Sequence, residues 1–467
     1  MVDVVIIGAG PGGYQAAIDL AKNGQSVTIV DYGNLGGTCL NVGCIPTKAL
    51  LDNVSLYEHF VNMSAKEGIF NLTNPSPKIS QEELRKFQRK IIDQLRFGIE
   101  KAFKELKINF INGRAEFKSE KEIKVYLNKG EITEIKANNF IIATGSKPRQ
   151  VPGFQFDGKK IFSSDDIWDV PFVPNRLLIV GSGPIGIEFG RVFKALGSEV
   201  TISEIREKIC PILDGEISEA LARSLKKRNI KLLPNFAAKF TGKINEEIEI
   251  EFLSTEQSEK KKEKYDGVLV AVGRKANIEN LNLESVNLEL EGEFIKTNGY
   301  LQTTAENIWA VGDVTKYPQL AHTASFQARV VAKNILGEKI KFDGDSIPSS
   351  IFGYPEVAFV GKTEEQLKEE GIKYKTGKSF FLASGKAKAS GLTEGVVKIL
   401  MDMNSKKILG AHIIGPEASN LIQEIVLAMK CNLRVHEVVE AIHGHPTYSE
   451  TVFEALENSL TGSHVKV

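Results

Sequence analysis

The sequence predicts an α/β chain with two Rossmann-like dinucleotide-binding domains followed by a C-terminal α+β domain. Three observations predict it. A strand–glycine turn–helix–strand pattern occurs twice, and each copy is followed by a further strand that runs into a glycine. After roughly residue 345 the pattern changes to alternating strands and long helices.

Residues 4–31 read VVIIGAGPGGYQAAIDLAKNGQSVTIVD and residues 177–204 read LLIVGSGPIGIEFGRVFKALGSEVTISE. Aligned without gaps, they share Gly8/Gly181, Gly10/Gly183, Gly13/Gly186, Gly24/Gly197 and Pro11/Pro184. The first glycine makes the turn, the second lets backbone approach a pyrophosphate, and the third lets helix pack on strand. The helix N-terminus then presents unpaired N–H groups and its positive dipole end to phosphate. Asp31 and Glu204 end the second strands, where a carboxylate can accept from a ribose diol. One such glycine turn is weak evidence, but here each has its strand, helix and acid at the right distance. Two copies imply two dinucleotides, or one dinucleotide and a vestigial site.

The follow-on strands are Phe140–Gly145 and Val268–Gly273. A longer insertion separates the first copy from its follow-on strand and contains a helical tract from about Gln81 to Leu106. Ser80 with Glu83 reads as a capping box, and Leu84, Phe87, Ile91, Leu95 and Ile99 form an apolar stripe expected to be core. A third apolar strand, Asn307–Asp313, ends in Gly312-Asp313, and a carboxylate at that edge is where an open α/β sheet presents ligands. The last part reads as strands Val396–Leu400 and Ile408–Ile414 with helices near 416–430 and 447–460. The charged run EQSEKKKEKYD (256–266) reads as a solvated hairpin tip.

Lys plus Arg equals Asp plus Glu, 59 of each, so no overall field favours nucleic acid or an anionic membrane. No stretch approaches the roughly 18 apolar residues of a membrane span. The N-terminal segment reads as a buried strand and not as a leader, so a cytoplasmic or organelle-matrix setting with reduced thiols is expected. The four cysteines are Cys39, Cys44, Cys210 and Cys431. None has zinc-knuckle spacing and no metal is expected; Cys210 and Cys431 read as small buried hydrophobes.

Cys39 and Cys44 lie in GGTCLNVGCIPTK, residues 36–48. In a regular helix their separation is about 7.5 Å along the axis, whereas a disulfide needs Cα atoms within roughly 4.4–6.8 Å. If they bond, the backbone between them bends, and Gly43 is expected to supply that freedom. Pro46 suits the first turn of a following helix, which places Cys44 near a helix N-terminus where a thiolate is stabilised. A bridge closing so short a loop stabilises by only on the order of 2 kcal/mol. A redox-active pair is therefore favoured over a structural staple or two free thiols. Thiol chemistry needs a base. Of seven histidines, His445 has Glu450 five residues on, a spacing that suits either an oriented base or a satisfied structural histidine.

At this point the whole chain resembles the class I pyridine nucleotide–disulfide oxidoreductases. GGTCLNVGCIPTK (36–48), AVGDV (310–314), LAH (320–322), LGAHIIGPEA (409–418) and HPTYSE (445–450) carry the resemblance, in order along the chain. Within the family it is most similar to the branch that oxidises dihydrolipoamide. The resemblance implies an FAD-binding domain beginning at 1–147, an NAD-binding domain at 148–274, a segment at 275–343 returning to the FAD domain, and a dimerisation domain at 344–467. It implies that Gly8, Gly10, Gly13, Asp31, Lys48, Gly145 and Asp313 hold FAD. Gly181, Gly183, Gly186, Glu204 and Gly273 would hold NAD, with Glu188 pairing with Lys48 beside the flavin. Cys39 would meet the substrate, Cys44 would face the flavin, and His445, oriented by Glu450, would be the base, acting on the partner subunit of a homodimer.

The implied reaction is oxidation of dihydrolipoamide to lipoamide with reduction of NAD+. The substrate would be carried on a lipoyl-bearing component of a 2-oxoacid dehydrogenase or glycine cleavage complex. A glutathione-reductase-like enzyme of the same family is the alternative. Such enzymes prefer NADPH, and Glu204 stands where they need basic residues.

Overall fold

The computed structural model describes residues 2–66, 78–128, 130–170, 172–244, 247–256 and 259–461. The chain divides into two compact units, each assembled from three segments. The first comprises Met1–Asn53, Ser80–Arg149 and Gly273–Gly344; the second comprises Val54–Ile79, Gln150–Val272 and Asp345–Val467.

In the first unit, Val2–Ile7 is the middle of a parallel sheet because Val4, Val5 and Ile6 are wholly buried, as a strand covered on both faces must be. Val27–Asp31 and then Asn109–Ser119 lie on one side of it, Ile132–Ile142 and then Ile308–Ala310 on the other. The register sets Val5 against Thr28 and Phe140, and Phe140 against Ile308. Glu122–Leu127 joins the outer halves of the two long strands as an antiparallel extension. Phe117, Phe140, Ile142 and Ile308 centre the core beneath.

The second unit repeats that plan. Arg176–Val180 is flanked by Glu199–Ser203 and Lys231–Leu233 on one side, and by Gly267–Val270 and Ile161–Phe162 on the other, all parallel. An antiparallel meander, Phe236–Ile244, Glu247–Ser254 and Lys260–Tyr265, again precedes the return strand. The same unit holds a five-stranded antiparallel sheet, in order Ser349–Ile351, Glu356–Gly361, Ile408–Gly415, Val396–Asp402 and Tyr374–Phe380. Helices Ala418–Lys430 and Ser449–Thr461 cover it with Ile422, Ile425, Val452 and Leu456.

A buried charge cluster lies within this unit. Lys398 Nζ donates to Asp214 Oδ1 at 2.8 Å and to Glu364 Oε2 at 2.6 Å. The lysine and Asp214 are 1% and 0% exposed, so neither charge has water to fall back on.

Four sequence expectations need correction. Ser80 accepts from Glu83 N, but Glu83 is drawn to Lys86, so the cap is one-sided and not a capping box. The helix Gln81–Glu105 buries Leu84, Gln88 and Phe103, whereas Phe87 and Leu95 are exposed; Gln88 takes the inner line by donating to Pro46 O at 2.9 Å. The charged run at 256–266 is mostly the third strand of the meander, and Gln257 and Ser258 lie outside the described residues. There Tyr265 is buried and the Lys261 ammonium lies over the Phe236 ring. Cys210 is buried as expected, but Cys431 is exposed, because it caps the end of a helix.

Candidate active site

Both glycine turns are held open by the same close approaches. Gly8 and Gly181 have φ of +107° and +103°, and a Cβ on either would strike the carbonyl of Ala143 or Ala271. A Cβ on Gly13 would lie 1.8 Å from Gly8 O, and one on Gly186 2.2 Å from Gly181 O. Only glycine fits these four places. The helices Pro11–Lys22 and Pro184–Ala195 then start with proline in the first turn, and Gly10 and Gly183 provide no side-chain cap. Each helix N-terminus thus keeps backbone N–H groups for an anion. The acids turn back to the loops: Ala9 N donates to Asp31 Oδ2 at 2.6 Å, and Ser182 N to Glu204 Oε2 at 3.0 Å. Two cradles for a pyrophosphate with an acid beside each fit two dinucleotides.

The first unit carries the rest of one site. Gly145 has φ of +69° with open space where a Cβ would be. Asp313 follows the Ile308–Ala310 strand in a short 3-10 turn and accepts from Ser146 Oγ at 2.5 Å. Burial raises its carboxyl above the ordinary value, against the Ser146 hydrogen bond and the Arg274 charge. Arg274 in turn donates from Nε to Ser146 Oγ at 2.8 Å. Neither Ser146 nor Arg274 was singled out in the sequence, although each directly follows a marked glycine.

The cysteines sit across a helix break. Gly37–Asn41 forms one short helix, Val42 leaves helical geometry at φ −140°, and Cys44–Lys66 begins a new helix at Cys44 itself. Gly43 serves this break by size and not by a left-handed backbone, since a Cβ there would lie 2.9 Å from Thr38 O and 3.3 Å from Cys39 Cα. Asn41 Nδ2 holds the short helix to Leu35 O and Gly37 O, and Arg96 Nη2 holds Asn41. Both cysteines are thiols, Cys39 half-buried and Cys44 exposed, joined by a side-chain hydrogen bond. That bond, burial and the Cys44 charge raise the Cys39 thiol, while the positive charge of Lys48 opposes them. Tyr14 was also not singled out: burial raises its phenol, and the two cysteines add to the shift.

The second unit carries the remaining residues. Glu188, buried on the helix Pro184–Ala195, accepts from Phe352 N at 3.0 Å. His445 Nδ1 meets Glu450 Oε1 at 2.7 Å, and the other oxygen of Glu450 accepts from Thr447 N at 2.7 Å. Thr447 N first and His445 next lower the Glu450 carboxyl. The neighbouring His443 has both ring nitrogens engaged, by Ala441 O and Glu424, whereas the His445 side chain is 77% exposed. The structure therefore groups Cys39, Cys44 and Lys48 in one unit and His445, Glu450, Glu188 and Glu204 in the other; Gly273 opens the last segment of the first.

Residues 2–328 match the family described as pyridine nucleotide-disulphide oxidoreductase, and residues 347–456 match its dimerisation domain. Dihydrolipoyl dehydrogenase 2, mitochondrial, of Arabidopsis thaliana is 39% identical over 97% of this chain and 89% of its own length. Dihydrolipoyl dehydrogenase of Haloferax volcanii is 36% identical over 98% of this chain and 96% of its own length. Among solved structures, LpdA of Mycobacterium tuberculosis superposes with a TM-score of 0.88 at 26% identity, covering 98% of this chain and 99% of that one.

Proposed function

Because the chain belongs to the pyridine nucleotide-disulphide oxidoreductases, we propose that it oxidises dihydrolipoamide to lipoamide with reduction of NAD+. The observation that carries this reading is a thiol pair across a helix break, Cys44 opening a helix, in a chain with two dinucleotide cradles. FAD and NAD are its cofactors. The first cradle, with Asp31, Lys48, Gly145 and Asp313, suits FAD, and the second, with Glu204 and Gly273, suits NAD because a carboxylate repels a 2′-phosphate. When bound, FAD would supply the two-electron link between a thiolate and the hydride that NAD+ accepts.

The chain's own residues handle sulfur and protons. In the oxidised enzyme Cys39 and Cys44 are a disulfide. His445 takes the proton of one substrate thiol, and the resulting thiolate attacks Cys39 Sγ. The Cys39–Cys44 bond breaks, leaving Cys44 as thiolate and the substrate joined to Cys39. The second substrate sulfur attacks the first as its proton passes to Cys39; the substrate disulfide closes and Cys39 departs as the thiol. The positive end of the helix dipole steadies the Cys44 thiolate. Glu450, fixed by Thr447 N, holds the His445 tautomer with Nε2 available.

The dimerisation match supports a homodimer in which His445 serves the partner's cysteines. The substrate is assigned to a lipoyl-bearing component of a 2-oxoacid dehydrogenase or glycine cleavage complex. Among the described residues no helix is long and apolar enough to cross a membrane. A pair that works as a switch suits the reducing cytoplasm. A steady-state assay with dihydrolipoamide and NAD+ tests the reading. A yellow protein that reduces NAD+ with this dithiol is expected. No turnover, or a strong NADPH preference with glutathione disulfide, would replace it with a low-molecular-weight disulfide reductase.

A further inference from the structure

The two nucleotide loops share a backbone, and where the first has Ala9 the second has the hydroxyl of Ser182. In the first, Asp31 is anchored by two backbone donors, Ala9 N to Oδ2 at 2.6 Å and Gly33 N to Oδ1 at 2.7 Å. In the second, Glu204 has the same two anchors, Ser182 N to Oε2 at 3.0 Å and Arg206 N to Oε1 at 3.1 Å. Ser182 then adds its hydroxyl, which donates to Oε2 at 2.6 Å and accepts from Cys210 N at 2.8 Å. Both Ser182 and Cys210 are wholly buried, and Cys210 has φ of +50°, a conformation a non-glycine residue adopts only when its surroundings impose it.

We propose that Ser182 is a positioning residue for nucleotide choice, its hydroxyl holding the Glu204 carboxylate where an unphosphorylated ribose diol is read. This rests on the assignment of Glu204 as the ribose acceptor. Glutamate has one more torsion than aspartate, so two backbone donors fix it less completely. Because Cys210 N occupies the acceptor side of the Ser182 oxygen, the hydroxyl proton is directed at Glu204. The bond thereby ties the acid to the loop that runs from Ile205 to Leu213. That loop exposes Arg206, a cation suited to a 2′-phosphate once the carboxylate swings away.

The test uses FAD-loaded enzyme and compares NAD+ with NADP+ at saturating dihydrolipoamide. Ser182→Ala is expected to raise KM for NAD+ about ten-fold, the scale of one hydrogen bond to a charged group, with kcat kept within about two-fold. The ratio of kcat/KM for NAD+ over NADP+ falls by a similar factor. Glu204→Gln is expected to raise KM for NAD+ alone, and adding Ser182→Ala to it is expected to cost nothing further. If Ser182→Ala yields no flavoprotein, Ser182→Cys, similar in size with a weak donor, carries the same expectation. An unchanged KM and nucleotide ratio, or a Ser182→Ala loss that persists in full in the Glu204→Gln background, overturns the proposal. An unchanged KM for NAD+ in Glu204→Gln alone overturns the assignment of Glu204 itself.

Discussion

Cys39 and Cys44 are close because a five-residue helix ends between them and a longer one starts, and that break is a matter of a few atoms around Gly43. Cys44→Ser or Cys39→Ser is expected to keep the flavin spectrum and lower dithiol-driven NAD+ reduction by on the order of 10³-fold or more, measured by steady-state kinetics. His445→Gln is expected to lower that rate by about 10²–10⁴-fold. It should leave NADH oxidation by an acceptor that takes electrons directly from flavin unchanged. Glu450 adds a pH dependence. Its carboxyl lies below its ordinary value of 4.5 in the fold, so its pairing with His445 and Thr447 N is complete above pH 4.5 and is lost as the pH falls below it. An inactivation step on that acid side, absent in Glu450→Gln, is the check. The cysteines, the histidine and the glycines were legible because they stand in short contiguous motifs. Ser146 on Asp313 was not, since 167 residues separate the partners and nothing local records that they meet.

At the scale of elements, the two βαβ copies have the same backbone and are proposed to hold different cofactors, so equivalent changes should fail differently. Gly13→Ala places a Cβ 1.8 Å from Gly8 O and is expected to give a colourless protein, read by absorbance, at a cost of at least about 1–3 kcal/mol. Gly186→Ala, with its clash at 2.2 Å from Gly181 O, is expected to stay yellow and lose NAD+ reduction. The duplication was legible because strand, glycine turn and helix are local. The helix at 81–105 was legible as a helix and misread in its facing. Its apolar period names a stripe, but Gln88 bonding to Pro46 O turns part of that stripe outward. The run 256–266 was misread for a related reason. Charge indicates solvent, yet a lysine stem and Tyr265 pack well on a pleated strand whose other face is wet.

For the molecule as a whole, the Lys398–Asp214–Glu364 cluster joins segments far apart in sequence within the second unit. Neutralising Asp214 leaves the buried Lys398 ammonium with only the more exposed Glu364 and Glu216 beside it, so Asp214→Asn is expected to destabilise by up to about 3–5 kcal/mol, read by denaturant midpoint. Burial pushes the Glu364 carboxyl up, but hydrogen bonds from Lys398 and Tyr374 bring it to about 2. Its contribution is therefore complete above its ordinary 4.5 and fades as the pH falls toward about 2. Glu364→Gln should flatten that loss in acid melting curves. No spacing rule predicts such a cluster, because each charge, read alone, looks like an ordinary surface residue.

The discontinuous first unit also sets an order of events during synthesis. The strand Ile308–Ala310 completes a sheet that Val2–Ile7 began, and it pairs with Ile132–Ile142. A nascent chain emerging from the ribosome therefore holds an unfinished sheet edge until residue 310 has cleared the exit tunnel. The intervening nucleotide-binding sheet, contiguous from Ile161 to Val270, can close earlier. That open edge is a site for a chaperone to shield, or for two growing chains to pair wrongly.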